Sequence, residues 1–115
     1  MLRRPVSVIE FAGYRRRADE LLTPDEREAV VDLVAYEPTC GDLMPGTAGL
    51  RKVRIGRGGI GKRGGARVVY YFHDDEIPIL LLALYAKNEK GDLTSGAIKE
   101  LAALVKEIVA QWKRK

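Results

Sequence analysis

Residues 50–86 read LRKVRIGRGGIGKRGGARVVYYFHDDEIPILLLALYA, and this stretch decides the fold. Leu50 to Ile55 alternates, with Leu50, Lys52 and Arg54 on one side and Arg51, Val53 and Ile55 on the other. That is the period of two of a pleated strand. Ala66 to Phe72 is rich in β-branched and aromatic residues and predicts a second strand, ended by His73-Asp74-Asp75-Glu76. Ile77 to Ala86 predicts a third, too apolar for a sheet edge. Successive strands joined by short connections favour antiparallel pairing.

Upstream, Pro5 to Phe11 (PVSVIEF) predicts a first strand. Ala12 to Leu22 carries Tyr14, Ala18, Leu21 and Leu22 at roughly helical spacing, with basic residues between. Thr23-Pro24-Asp25-Glu26 is a strong helix start, because Thr caps an N3 amide, Pro suits the first helical position and Glu26 reaches back to the cap. That helix runs through Ala29, Val30, Leu33 and Val34 and stops before Pro38. Thr39 to Gly49 reads as a loop. Downstream, Lys87 to Leu93 is a polar loop, and Thr94 or Ser95 can cap a final helix with Ile98, Leu101, Ala102, Val105, Ile108, Val109 and Trp112 along one face. The order β-α-α-β-β-β-α predicts an α+β domain over residues 1–115. It has a mostly antiparallel four-stranded sheet, with the helices grouped on one face.

The chain of 115 residues is 46% hydrophobic and 31% charged, enough for one domain with a modest core. No apolar run approaches the ~18 residues of a membrane span. The basic start, Met1-Leu2-Arg3-Arg4-Pro5, is followed by no apolar stretch before Glu10, so no secretory signal is expected. Cys40 is the single cysteine, which excludes an internal disulfide and fits a reducing cytoplasm. No base sits beside it in sequence to make it a nucleophile.

The net charge is +4, and its distribution matters more than its size. Between Arg51 and Arg67 there are seven cations (Arg51, Lys52, Arg54, Arg57, Lys62, Arg63 and Arg67) and no acid. Charges placed only for solubility are normally mixed in sign. If Val53 and Ile55 face the core, Lys52 and Arg54 face outward together, with Arg67 opening the neighbouring strand. Cations on a rigid sheet make a phosphate site, because Arg donates in a fork and Lys acts as a point charge. The competing reading is a solvated basic face.

Gly56 to Gly65 contains a GxGxxG spacing, but a dinucleotide site needs a helix to follow, and here a strand follows. The stretch reads better as a flexible basic hairpin that lies along a nucleic-acid backbone. Tyr70, Tyr71 and Phe72 are adjacent, so alternation puts Tyr71 opposite its two neighbours; Tyr85 ends the next strand. One face must be core, and a ring on the other could stack on a base. His73, the single histidine, lies before three acids and reads as a turn residue rather than a general base. Glu89 lies in a polar loop at the end of a buried strand, a position that suits function and an ordinary turn about equally.

The segments GLRKVR (49–54), GKRGGARVVYYF (61–72) and YAKNEKGDL (85–93) together resemble the HigB branch of the RelE toxins, and the order of elements resembles that family over about Pro5 to Trp112. The resemblance implies the toxin of a type II toxin–antitoxin pair, an mRNA interferase that enters the ribosomal A site, cuts the message there and inhibits translation. The implied endonuclease chemistry needs no metal or other cofactor. The ribose 2′-hydroxyl attacks the adjacent phosphate and leaves a 2′,3′-cyclic phosphate and a 5′-hydroxyl.

By the same resemblance Lys52, Arg54 and Arg67 match basic positions of the family and Lys87 lies near others, which makes these four the candidate catalytic residues; Arg51, Arg57, Lys62, Arg63, Tyr71, Tyr85 and Asn88 are the candidates for binding RNA or ribosome. The implied partners are the ribosome, mRNA and a HigA-like antitoxin with a helix-turn-helix domain. Operator DNA is reached only through the antitoxin complex, no membrane is involved, and the location is cytoplasmic. The RelE-like branch often has an arginine near Asn88 and a tyrosine near Asp92. This chain has neither, which leaves the general base and the stacking ring open, with Tyr71 and Tyr85 as candidates for the ring. A non-catalytic nucleic-acid- or ribosome-binding toxin module and a ParE-like gyrase poison are the alternatives.

Overall fold

The computed structural model describes residues 4–56, 65–86 and 94–113. In chain order these form β1 (Val8–Glu10), α1 (Ala12–Leu21), α2 (Pro24–Tyr36), β2 (Asp42–Leu43), β3 (Leu50–Ile55), β4 (Ala66–Tyr71), β5 (Ile79–Ala86) and α3 (Ser95–Lys113). The class is α+β, with a five-stranded sheet in the order β1-β5-β4-β3-β2. The pairs β5–β4, β4–β3 and β3–β2 are antiparallel, whereas β1 runs parallel to β5.

The sheet has five strands, not the four expected, because the predicted loop 39–49 contains β2. Two residues are too few to show an alternating pattern. Asp42 and Leu43 pair with Lys52 and Arg51 because a tight turn folds them back onto β3. In that turn Met44 N donates to Leu50 O at 2.8 Å, Thr47 Oγ1 donates to Met44 O at 2.6 Å, and Leu50 N donates to Thr47 Oγ1 at 3.1 Å.

A second correction concerns the helices, which are not grouped on one face. Tyr14 and Ala18 of α1 and Val30 and Val34 of α2 pack on Ile55, Val68, Tyr70, Ile79 and Leu81. Val105 and Val109 of α3 pack on the opposite face, against Leu50, Val69, Tyr71, Leu80 and Leu82. The nearly unbroken apolar run of β5 is the cause, since a strand buried on both faces has no polar side to present. A bulge adjusts the second face: Tyr70 pairs with Leu81 and Val69 with Ala83, which leaves Leu82 without a partner across the ladder.

Local signals agree with this arrangement at the start of α2. Thr23 accepts from the Glu26 amide at 3.1 Å while the Glu26 carboxylate accepts from the Thr23 amide at 2.8 Å, a full capping box behind Pro24. Such a cap stabilises by about 1 kcal/mol. Tyr70, fully buried, ties the 38–41 segment to the sheet. Its hydroxyl donates to Pro38 O at 2.8 Å and accepts from Gly41 N at 2.9 Å. A Cβ at Gly41 would lie 2.8 Å from the Tyr70 ring, so only glycine allows this approach. Burial pushes the Tyr70 hydroxyl pKa up, and the nearby Cys40 adds to the shift.

Candidate nucleic-acid interface

The register of β3, β4 and β5 sets the geometry of the cations. Arg54 is directly opposite Arg67, and Arg67 is directly opposite Tyr85, so these three form one row across the sheet. The adjoining row is Asp42, Lys52, Val69 and Ala83, and the next is Leu50, Tyr71 and Leu80. All lie on the face that α3 covers. The helix closes over the Leu50–Tyr71–Leu80 row and leaves Lys52 and Arg54 exposed and Arg67 and Tyr85 half-buried.

These side chains line an open groove of about 950 Å³ between the sheet, the 42–47 turn and the start of α3. Lys52, Arg54, Arg67 and Lys99 are its cations, and Asp42 is its single carboxylate among the described residues. Met44 and Ile98 give it apolar walls. None of the four cations has an ion-pair partner among the described residues. Among the described residues Arg67 makes only a marginal 3.5 Å bond to the Ala66 carbonyl. Like charges directly across a ladder destabilise by roughly 0.2–1 kcal/mol. An anion seated between the guanidinium groups would reverse the sign of that interaction.

Close approach of backbone supports the row from below. Gly65 leads into β4, and a Cβ there would lie 1.9 Å from Ile55 O. A side chain at 65 would push apart the strand ends that hold Arg54 and Arg67 opposite each other.

Four of the sequence-derived site residues thus come together: Lys52, Arg54, Arg67 and Tyr85. Two do not. Arg51 lies on the opposite face, where its guanidinium donates to Gly41 O at 2.7 Å and Thr39 O at 3.4 Å and fastens β2 to β3. Tyr71 is only 8% exposed because α3 packs on it, so it has no free ring face to offer. Burial raises its hydroxyl pKa, with Asp74 adding to the effect. Lys87, Asn88, Arg57, Lys62 and Arg63, like the glycine-rich hairpin and Glu89, fall outside the described residues.

The groove also contains residues that the sequence reading did not single out: Lys99, Ser95, Asp42 and Met44. Lys99 gives no signal in the chain, being one lysine among several on an amphipathic helix. Only the crossing of α3 over β5 brings it to the cations of the sheet. His73 lies away from the groove in the β4–β5 connection, with Nδ1 2.8 Å from Asp74 Oδ2. Asp74 accepts from the Ile77 and Glu76 amides, and these bonds hold its carboxyl below the ordinary value. Cys40 is exposed, with Sγ 3.6 Å from the Tyr70 hydroxyl. Among the described residues no three His, Cys, Asp or Glu side chains converge into a metal-ligand set, and no helix is long and apolar enough to cross a membrane. No protein-family model matches the chain.

Proposed function

We propose that this chain is an endoribonuclease toxin of the RelE/HigB type that cuts messenger RNA on the ribosome and is neutralised by a protein antitoxin. The observation that carries the reading is the Arg54–Arg67 pair, two arginines directly opposite each other on the ladder with Lys52 one row away and, among the described residues, no carboxylate paired to any of them. The local motifs around residues 49–54, 61–72 and 85–93 point the same way.

The reaction needs little more than this groove holds. The ribose 2′-oxygen gives its proton to solvent water and attacks the adjacent phosphorus. The bond to the 5′-oxygen of the next nucleotide breaks, and that oxygen gains a proton. Charge builds on the non-bridging phosphate oxygens, where Arg54 and Arg67 donate from fixed positions on the sheet. Lys52 adds a third cation one row away. Positioning of the strand is left to the ribosome, because cations alone make a weak nuclease.

A second reading, a module that binds RNA or ribosome without cutting, is favoured by one observation: the described groove contains no histidine and a single carboxylate, Asp42. Purified ribosomes carrying a defined message separate the two. Cutting in the A site, with cyclic-phosphate and 5′-hydroxyl ends, and slow cutting of the same RNA without ribosomes are the expected results. Tight ribosome binding with an intact message would establish the binding module instead. Rapid cutting of naked RNA would overturn ribosome dependence.

A further inference from the structure

The cations of the groove stand on two walls. Lys52, Arg54 and Arg67 are on the sheet, and Lys99 is on the first turns of α3, with Ser95 one helical turn before it. Tyr85 forms the floor between them, since it is opposite Arg67 on the ladder and lines the groove together with Ser95 and Lys99. We infer that the groove holds two phosphates of one nucleic-acid single strand. One sits between Arg54 and Arg67, the other against Lys99 and the Ser95 hydroxyl, and the intervening nucleoside lies over Tyr85.

Three observations support the second position. Lys99 has no acid one turn away on its own helix, where Ser95, Gly96, Ala102 and Ala103 occupy the neighbouring positions. It therefore lacks the i,i+4 partner that would mark a lysine placed for helix stability. The first turn of α3 carries no acid, whereas that of α2 carries Asp25 and Glu26. The positive end of this 19-residue helix therefore receives no neutralising side chain from its own first turn. Finally, the groove volume of about 950 Å³ is at the top of the ~300–1,000 Å³ range of small-molecule sites, more than one phosphate needs. The apolar walls at Met44 and Ile98 favour a single strand, whose unstacked bases have faces to bury, over a duplex.

This inference rests on the reading of the groove as a nucleic-acid site, and the test keeps the two apart. Binding is measured over a range of salt at low ionic strength for two probes, uridine 3′-monophosphate and an oligouridylate of six nucleotides. Each phosphate contact to a single strand contributes about 0.7 to the slope of log K against log salt. Lys99→Ala should reduce the slope for the oligonucleotide by about 0.7 and leave monophosphate binding within about twofold. Lys106→Ala, on the same helix but outside the groove, should change neither. Arg54→Ala and Arg67→Ala should weaken both probes. If Lys99→Ala leaves the oligonucleotide slope unchanged while Arg67→Ala lowers it, the second phosphate position is wrong and the groove reading stands. If the parent binds neither probe, or binds both independently of Arg54 and Arg67, the groove reading fails and the inference falls with it.

Discussion

Arg27 on α2 and Arg67 on the central strand β4 are both partly buried arginines, and their surroundings differ in kind. Arg27, on α2, sits between two acids. It donates to Glu10 at 3.1 Å and to Asp19 at 2.5 Å, and it ties β1, α1 and α2 together. Those carboxylates raise its pKa, with the Glu10 hydrogen bond the largest cause. Arg67 is opposite another arginine on the ladder and pairs with no acid among the described residues. A cation that holds a fold together is given its counter-charge by the chain. A cation that waits for a ligand is denied one, and the protein tolerates the repulsion meanwhile. The two arginines can therefore be perturbed independently.

The largest expected effect is on the open face. Arg67→Ala should slow ribosome-dependent cutting by about 10²–10³, the usual cost of one donor to a charge that develops in the transition state. Circular dichroism should be unaltered, and melting should shift by no more than the roughly 0.2–1 kcal/mol gained by relieving the facing charge of Arg54. A folded variant as active as the parent would move the active face elsewhere, and Arg67→Lys then tests whether the fork matters or only the charge.

The next effect belongs to the closed face and appears in alkali. Burial, with the charge of Glu10, pushes the Tyr14 hydroxyl from 10.0 up to about 12. A group whose folded pKa is raised contributes its full stability below the unfolded pKa and loses it as pH rises toward the folded value. Stability should therefore fall between pH 10 and about 12 in the parent and equally in Arg67→Ala. The Tyr14 hydroxyl is buried with no partner among the described residues, so Tyr14→Phe should reduce that alkaline loss with no penalty at neutral pH. Denaturant melts across this pH range decide it; an alkaline limb unchanged in Tyr14→Phe would assign the loss to another group.

Smaller again, Arg27→Ala should lower stability by about 1–2 kcal/mol, as expected for part-buried charged hydrogen bonds, and leave the cutting rate per folded molecule unchanged. The smallest effect returns to the open face. Arg54→Ala should raise stability slightly, by roughly 0.2–1 kcal/mol, in low salt without phosphate, because it removes the facing charge. Added phosphate should stabilise the parent and not this variant. A parent that gains nothing from phosphate would remove the contrast between the two arginines.

How far the chain could be read in advance follows from the same physics. β3 was legible to the residue, because Leu50 to Ile55 alternates cleanly and a strand period of two leaves no choice of face. The pairing of Arg54 with Arg67 was half legible: parity put Lys52 and Arg54 together, but which residue of β4 came opposite depended on register. Arg51 was counted with the cations although parity already placed it with Val53, and only its bonds to Thr39 and Gly41 show what it does there. β2 was hidden because its pairing comes from the 44–49 turn rather than from its own two residues. The side of the sheet taken by α3 was equally hidden. A strand such as β5, apolar throughout, says that both faces are covered and not by what. Lys99 and the burial of Tyr71 both depend on that one choice.

The parallel pairing of β1 with β5 has a consequence for the order in which the molecule comes into being. Val8 lies beside Ile79, so the first strand has no partner until most of the chain exists. Contacts this distant in sequence are entropically costly to close and slow folding. The row Arg54–Arg67–Tyr85 likewise needs three strands, the last of which ends at Ala86. A growing chain therefore carries its cations unassembled, and the groove is created in one of the last steps of folding. During synthesis, then, a half-made copy has the cations of the groove but not the groove itself.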